Sequence, residues 1–190
     1  MKKGMSVLMN YQPKEDETSE LIETMGHSLS FLVMGVLEAK TDEFEMNLVK
    51  LQNVFKFIQE EKVKWNLEYE TWDIIGEAKT KRTHVYEAMK QVPTTHLMRL
   101  AEIKRNHSTN SPGIRMILQG GYTIIGVWVD TVLQKHYRFT IEKRKQFFAY
   151  LNDWIDSYYR GYLDNAGIRQ QFIEDLGYDI LKGEKVGEPV

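Results

Sequence analysis

Residues 114–133 read IRMILQGGYTIIGVWVDTVL, and residues 140–162 read TIEKRKQFFAYLNDWIDSYYRGY. In the first stretch Ile114, Ile117, Leu118, Ile124, Ile125, Trp128, Val132 and Leu133 recur at helical spacing, which predicts one long helix. β-branched and aromatic residues crowd positions 122–129, so a strand there is the competing reading. Gly120 and Gly121 sit inside the pattern at a cost of about 1 kcal/mol each against alanine, and close helix packing or a kink accounts for such a pair. In the second stretch Thr140 caps a helix carrying Ile141, Phe148, Leu151, Ile155 and Tyr158, which ends near Gly161. Two such helices in succession make a long C-terminal helical hairpin that has to pack on something.

The rest of the chain agrees. Glu15, Asp16 and Glu17 suit a helix N-terminus, and Leu21, Ile22, Met25, Leu29, Leu32 and Val36 follow at helical spacing to about Ala39. Asp42 and Glu45 form a capping-box pattern ahead of the stripe Phe44, Leu48, Leu51, Phe55 and Ile58, which predicts a second helix. Val85, Met89 and Val92 predict a short helix stopped by Pro93, and Thr94 or Thr95 can cap another through Leu97, Leu100 and Ile103. The polar run at 106–113 reads as a loop. Asp164 opens a last helix with Ile168, Phe172 and Leu176, closed by Gly177. The expected fold is an all-α bundle of about six to seven helices. Residues 1–14 form a flexible lead-in, 15–106 an N-terminal helical region and 113–182 a C-terminal one, together one compact unit of 190 residues.

The absence of cysteine excludes disulfides, a thiol nucleophile and cysteine zinc sites. The apolar run at 29–37 is too short to span a bilayer, Asp130 interrupts the later one, and the N-terminus lacks a signal-peptide layout. The expectation is a cytoplasmic protein with no membrane contact. Among the five histidines, His27, His84, His96, His107 and His136, no two are three or four residues apart, so no helical metal clip is present. No serine sits in a nucleophile elbow, and Gly120-Gly121 lacks a phosphate-loop pattern. No catalytic, metal or cofactor-binding residues are expected.

Net charge is unevenly placed. Residues 1–78 carry 8 basic and 15 acidic side chains, residues 79–144 carry 12 and 4, and the remainder 5 and 8. A basic middle between acidic flanks either pairs within the fold or an oligomer, or meets nucleic acid. The stretch 78–90 carries Lys79, Lys81, Arg82, Thr83 and His84 in a pattern similar to the turn and recognition helix of a helix-turn-helix at 73–92. At a helix N-terminus these side chains reach phosphates and base edges. Lys79 stands where the tight turn usually has glycine, and Ile75 where a small residue is usual. Glu20 with Glu23, and Glu70 with Asp73, have the i,i+3 spacing that metal-dependent all-α nucleotide pyrophosphohydrolases use to hold Mg²⁺.

The helix after Thr140 is apolar over more than half its circumference, because Phe147, Tyr150, Trp154, Tyr158 and Tyr159 lie on or beside its stripe. A helix of this kind is central in the core or contributes to an interface. Read as an interface, its anchors are Phe147, Tyr150, Trp154 and Tyr158, facing a partner protein or a second copy of the chain.

The segments GVWVD at 126–130, KHYRF at 135–139, Lys143-Arg144 and residues 147–175 resemble small early-region accessory proteins of temperate phages of Gram-positive bacteria. The resemblance covers residues 120–180, about a third of the chain, with Thr140 at the place of the turn glycine. It implies an accessory factor in phage replication, regulation or takeover of host processes. Together with the aromatic face of the Thr140 helix, the expectation is a non-enzymatic protein that binds a host or phage macromolecule, chiefly a protein, and self-associates through its C-terminal helices. A DNA-binding regulator using the 73–92 segment is the alternative, and a metal-dependent nucleotide hydrolase a more distant one.

Overall fold

Helix α7 (Pro112–Lys135) runs through the middle of the molecule, and an unbroken run of buried residues from Gly121 to Leu133 covers its whole circumference. An apolar surface that closes all round needs neighbours on every side. They are α1 (Glu15–Ala39), α3 (Leu48–Glu68), α4 (Thr71–Lys81), α5 (Thr83–Gln91) and α6 (Thr94–Leu100). The remaining helices are α2 (Thr41–Phe44), α8 (Ile141–Tyr159) and α9 (Asn165–Leu176), followed by a two-residue antiparallel pair, β1 (Tyr178–Asp179) with β2 (Glu184–Lys185). The structure, a computed structural model, describes residues 15–68, 70–103, 112–179 and 184–185. The lead-in expected at 1–14 and most of the loop expected at 106–113 lie outside them.

The all-α bundle is therefore what the chain adopts, and residues 122–129 are helical. One hydrophobic core runs from Met25 to Phe172. By length and composition α7 could cross a membrane, but 78% of its most apolar window is buried inside the protein. Its side-chain hydroxyls are satisfied locally: Thr123 and Thr131 donate to the carbonyls of Gln119 and Val127 at 2.8 and 2.7 Å.

Local signals place several ends where expected. The Thr140 hydroxyl accepts from the Lys143 amide at 3.3 Å and starts α8. Asp164 accepts from the Gly167 amide at 2.6 Å and starts α9, and Gly177 ends it at φ 60°. Two expectations are corrected. Asp42 and Glu45 do not open the second long helix: Glu45 takes a left-handed conformation at φ 52°, ending the four-residue α2. Asn47 then caps α3 by accepting from the Lys50 amide at 2.9 Å. At α6 neither threonine caps; Pro93 holds the cap position in extended conformation. Short helices split off in this way give nine among the described residues, in place of six to seven. α8 touches the end of α7 but lies chiefly on α1, α5 and α6, so the C-terminal hairpin opens to enclose other helices.

Part of the uneven charge pairs within the fold. Lys135 donates to the buried Glu61 at 3.0 and 3.2 Å, tying the end of α7 to α3. Lys143 meets Glu45 at 2.6 Å across 98 residues of sequence. Both join the basic middle to the acidic N-terminal region.

Candidate functional site

The basic segment is the natural place to begin, because its side chains divide into two groups. Arg82 is the single residue between α4 and α5, at φ −124° and ψ 46°. A helix-turn-helix uses a turn of three to four residues to set its recognition helix, so the expected motif at 73–92 is absent. From this break Arg82 and His84 turn inward to Asp130 of α7, a carboxylate with 0% exposure. His84 Nε2 donates to Asp130 Oδ1 at 2.7 Å, while Arg82 and Arg144 donate to Oδ2, the latter at 2.7 Å. Four charged or titratable groups from α5, α7, α8 and the α4–α5 joint thus meet at one buried point. Arg82 and His84 are accordingly withdrawn from any nucleic-acid contact, which corrects that part of the expectation. Burial alone would push the Asp130 carboxyl up; the hydrogen bond and charge of His84, with the two guanidiniums, outweigh it and hold Asp130 below the usual carboxylate range.

Lys79, Lys81 and Thr83 remain at the surface. Lys81 pairs with Glu77 one turn back at 3.0 Å. The ammonium of Lys79 lies over the Tyr86 ring, 5.5 Å from its centroid. There it stands at the mouth of a groove of about 400 Å³ between α1, α4, α5 and α7. Ile22 and Ile75 form one wall, Met116, Ile117 and Ile124 the other, and Tyr86 and Lys90 close the α5 side. Gly120 and Gly121 make the floor. A Cβ on Gly121 would meet Ile22 and Met25 at 3.0 Å, so this glycine permits the close approach of α1. A Cβ on Gly120 would sit 3.5 Å from Ile75, projecting into the groove. Of the glycine pair expected to mark close helix packing, Gly121 does so, and both glycines line a concave, mostly apolar surface that also includes Lys79 and Lys90.

The aromatic residues of α8 are placed differently from the interface expectation. Phe147 and Tyr158 are buried core residues. Phe147 packs edge-on against Phe148 at 5.4 Å and Phe44 at 6.0 Å between ring centroids. Trp154 is half-buried and lies across Gly35 of α1, where a methyl group would overlap its ring. Tyr150 is half-buried too; its hydroxyl donates to Glu43 at 2.8 Å and its ring sits under Lys40, 4.6 Å away. α8 is apolar over so much of its surface because α1 lies on one side and α5 with α6 on the other. Phe147 and Tyr158 are thus unavailable as anchors, and Tyr150 and Trp154 spend their faces within the fold.

Glu20, Glu23, Glu70 and Asp73 do not assemble a centre: among the described residues no three His, Cys, Asp or Glu side chains converge as a metal site would require. The groove was missed because four helices build it, and only the glycine pair and Lys79 carried a local signal.

No family model matches the chain, and no solved structure matches it. It is similar to the NFX1-type zinc finger-containing protein 1 of Mus musculus, 27% identical over 161 residues that make up 84% of this chain and 8% of that protein. The chain therefore spans less than a tenth of the length of that curated relative, and with no cysteine the similar stretch brings across no cysteine zinc-ligand set.

Proposed function

We propose that the protein is a non-enzymatic accessory factor, of phage or prophage type, that binds a host or phage protein through the groove between α1, α4, α5 and α7. The single observation that carries this reading is the groove: about 400 Å³, apolar in its walls and floor, with Lys79 and Lys90 at its edge. A concave surface of this size and lining takes one or two large apolar side chains, and the lysines favour acidic residues beside them. The favoured partner presents an apolar anchor flanked by Asp or Glu, as an amphipathic helix does. The resemblance of residues 120–180 to phage early-region proteins supports the accessory role; its start overlaps the groove lining at Gly120, Gly121, Thr123 and Ile124.

The test is affinity purification of tagged protein from nuclease-treated Gram-positive host lysate, wild type beside a Lys79→Glu/Lys90→Glu variant. A defined protein retained by the wild type, and reduced about tenfold or more in the variant, is the expected result. Met116→Glu, at an exposed groove-wall position, should act in the same direction without loss of helicity. Equal retention by all three proteins would place the binding surface elsewhere. Loss of everything on nuclease treatment would favour nucleic acid as the partner.

A further inference from the structure

Helix α3 buries one face and leaves the opposite face bare. Leu51, Val54, Ile58 and Trp65 lie in the core, while Val49, Val63 and Leu67 are 66%, 58% and 82% exposed. With Asn53, Lys56 and Glu60 between them, these positions advance in steps of four and three along one line, the spacing of a coiled-coil seam. The line lies opposite the buried stripe, and among the described residues nothing packs over Val49, Val63 and Leu67.

The order of side chains in this seam identifies its partner. Read in sequence it is Val, Asn, Lys, Glu, Val, Leu. Turned end for end about the middle of the helix, near Ile58, it matches itself: Val49 meets Leu67, Asn53 meets Val63, and Lys56 meets Glu60. A two-fold axis makes each pairing twice, so two apolar pairs at the ends and two Asn–Val pairs inside them flank two opposite-charge pairs at the centre. A parallel arrangement would set Lys56 against Lys56 and Glu60 against Glu60, which like-charge repulsion disfavours. Within one chain Lys56 and Glu60 stand 3.8 Å apart and are largely exposed, so both are free to turn to a partner. A shallow depression of about 570 Å³ runs beside Lys56, Glu60, Val63 and Leu67, and it is where Val49 and Asn53 of a second copy would seat.

We infer that the protein self-associates as an antiparallel two-fold dimer through α3. This surface is separate from the α1–α4–α5–α7 groove, so dimerisation stands or falls independently of partner binding there.

The chain has no cysteine, which allows a register-specific test in the full-length protein. Equimolar Val49→Cys and Leu67→Cys proteins, mixed under mild oxidation, should form a disulfide-linked heterodimer at least about tenfold faster than either protein alone, since seam partners in packed helices fall within disulfide reach. Sedimentation equilibrium supplies the second arm. Lys56→Glu and Glu60→Lys should each weaken the dimer, and mixing the two should restore it, because the substituted faces complement each other. Leu67→Glu should give a monomer of unchanged helicity. A monomeric wild type at high micromolar concentration would overturn the inference. So would a dimer indifferent to these substitutions, or single-cysteine proteins that cross-link as fast as the mixture.

Discussion

Replacing Asp130 by asparagine should lower the unfolding free energy by about 3–5 kcal/mol, because it leaves buried cations without their counter-charge. Among the described residues, Arg82 and Arg144 are held inward by this carboxylate and, for Arg82, by Gln134 at 3.4 Å. The Nε atoms of both arginines are buried without a hydrogen-bond partner among the described residues, so the guanidiniums are already incompletely satisfied. Without Asp130, two guanidiniums face each other in a low-dielectric site, and the α4–α5 joint loses its tether to α7. For a chain of this size the loss corresponds to a fall of about 10 °C in Tm, readable in thermal and urea melts. Substituting the whole cluster with apolar residues should restore much of the stability, as ion-pair replacement does when no charge is left behind. The same cluster sets an acid limit. Since the folded-state carboxyl is held below its ordinary value of 3.8, its contribution is fully present above that pH and is lost as pH falls through the lower folded value. Asp130→Asn should lack this component of acid sensitivity. A variant within 1 kcal/mol of the wild type would show that the cluster does not hold the joint.

What could be read from sequence follows the reach of each signal. Thr140, Asp164 and Gly177 were legible as helix ends because a cap acts within three or four residues. The buried stripe of α3 was legible in part, through the periodicity that holds Leu51 and Ile58, while Val54 and Trp65 stood outside the predicted stripe and Phe44 belongs to α2. Glu45 was not legible, since a left-handed glutamate is held by its surroundings and carries no residue-type signal. Asp130 looked like nothing more than an acid interrupting an apolar run. Its partners lie 46 and 48 residues before it and 14 after it, and nothing local links them. The helix-turn-helix reading failed on this point: Arg82 and His84 are basic as the motif requires, yet a carboxylate on a distant helix decides where they point. Of the two readings of the α8 aromatic face, core or interface, the interface one failed similarly for Phe147 and Tyr158. Composition showed that the helix is apolar on too many sides for a simple surface helix, but only the packing of α1 against one side and α5 with α6 against the other shows that the core takes it.

That placement sets the outcome expected of Phe147→Ala: loss of about 3–5 kcal/mol of stability, the usual cost of emptying a buried phenylalanine site. Phe147 is 0% exposed and lies among aromatic neighbours that cannot easily close a void. Phe44 is itself stacked on Phe139 at 5.3 Å, and Phe148 lies against His84 at 6.1 Å, so collapse toward the gap would disturb α2, the α7–α8 turn and the Asp130 cluster together. Denaturant melts followed by circular dichroism should show a clear shift in midpoint with little change in slope. Tyr150→Phe is the control on the same helix. It removes a surface hydroxyl that bonds Glu43 and keeps the ring, so stability should stay close to wild type. An interface role for these aromatics predicts the reverse: Phe147→Ala would fold as stably as wild type while association failed. A large melting shift for Phe147→Ala beside a small one for Tyr150→Phe would assign Phe147 to the core rather than to an interface, which is the assignment that the proposals for the groove and for the outer face of α3 require.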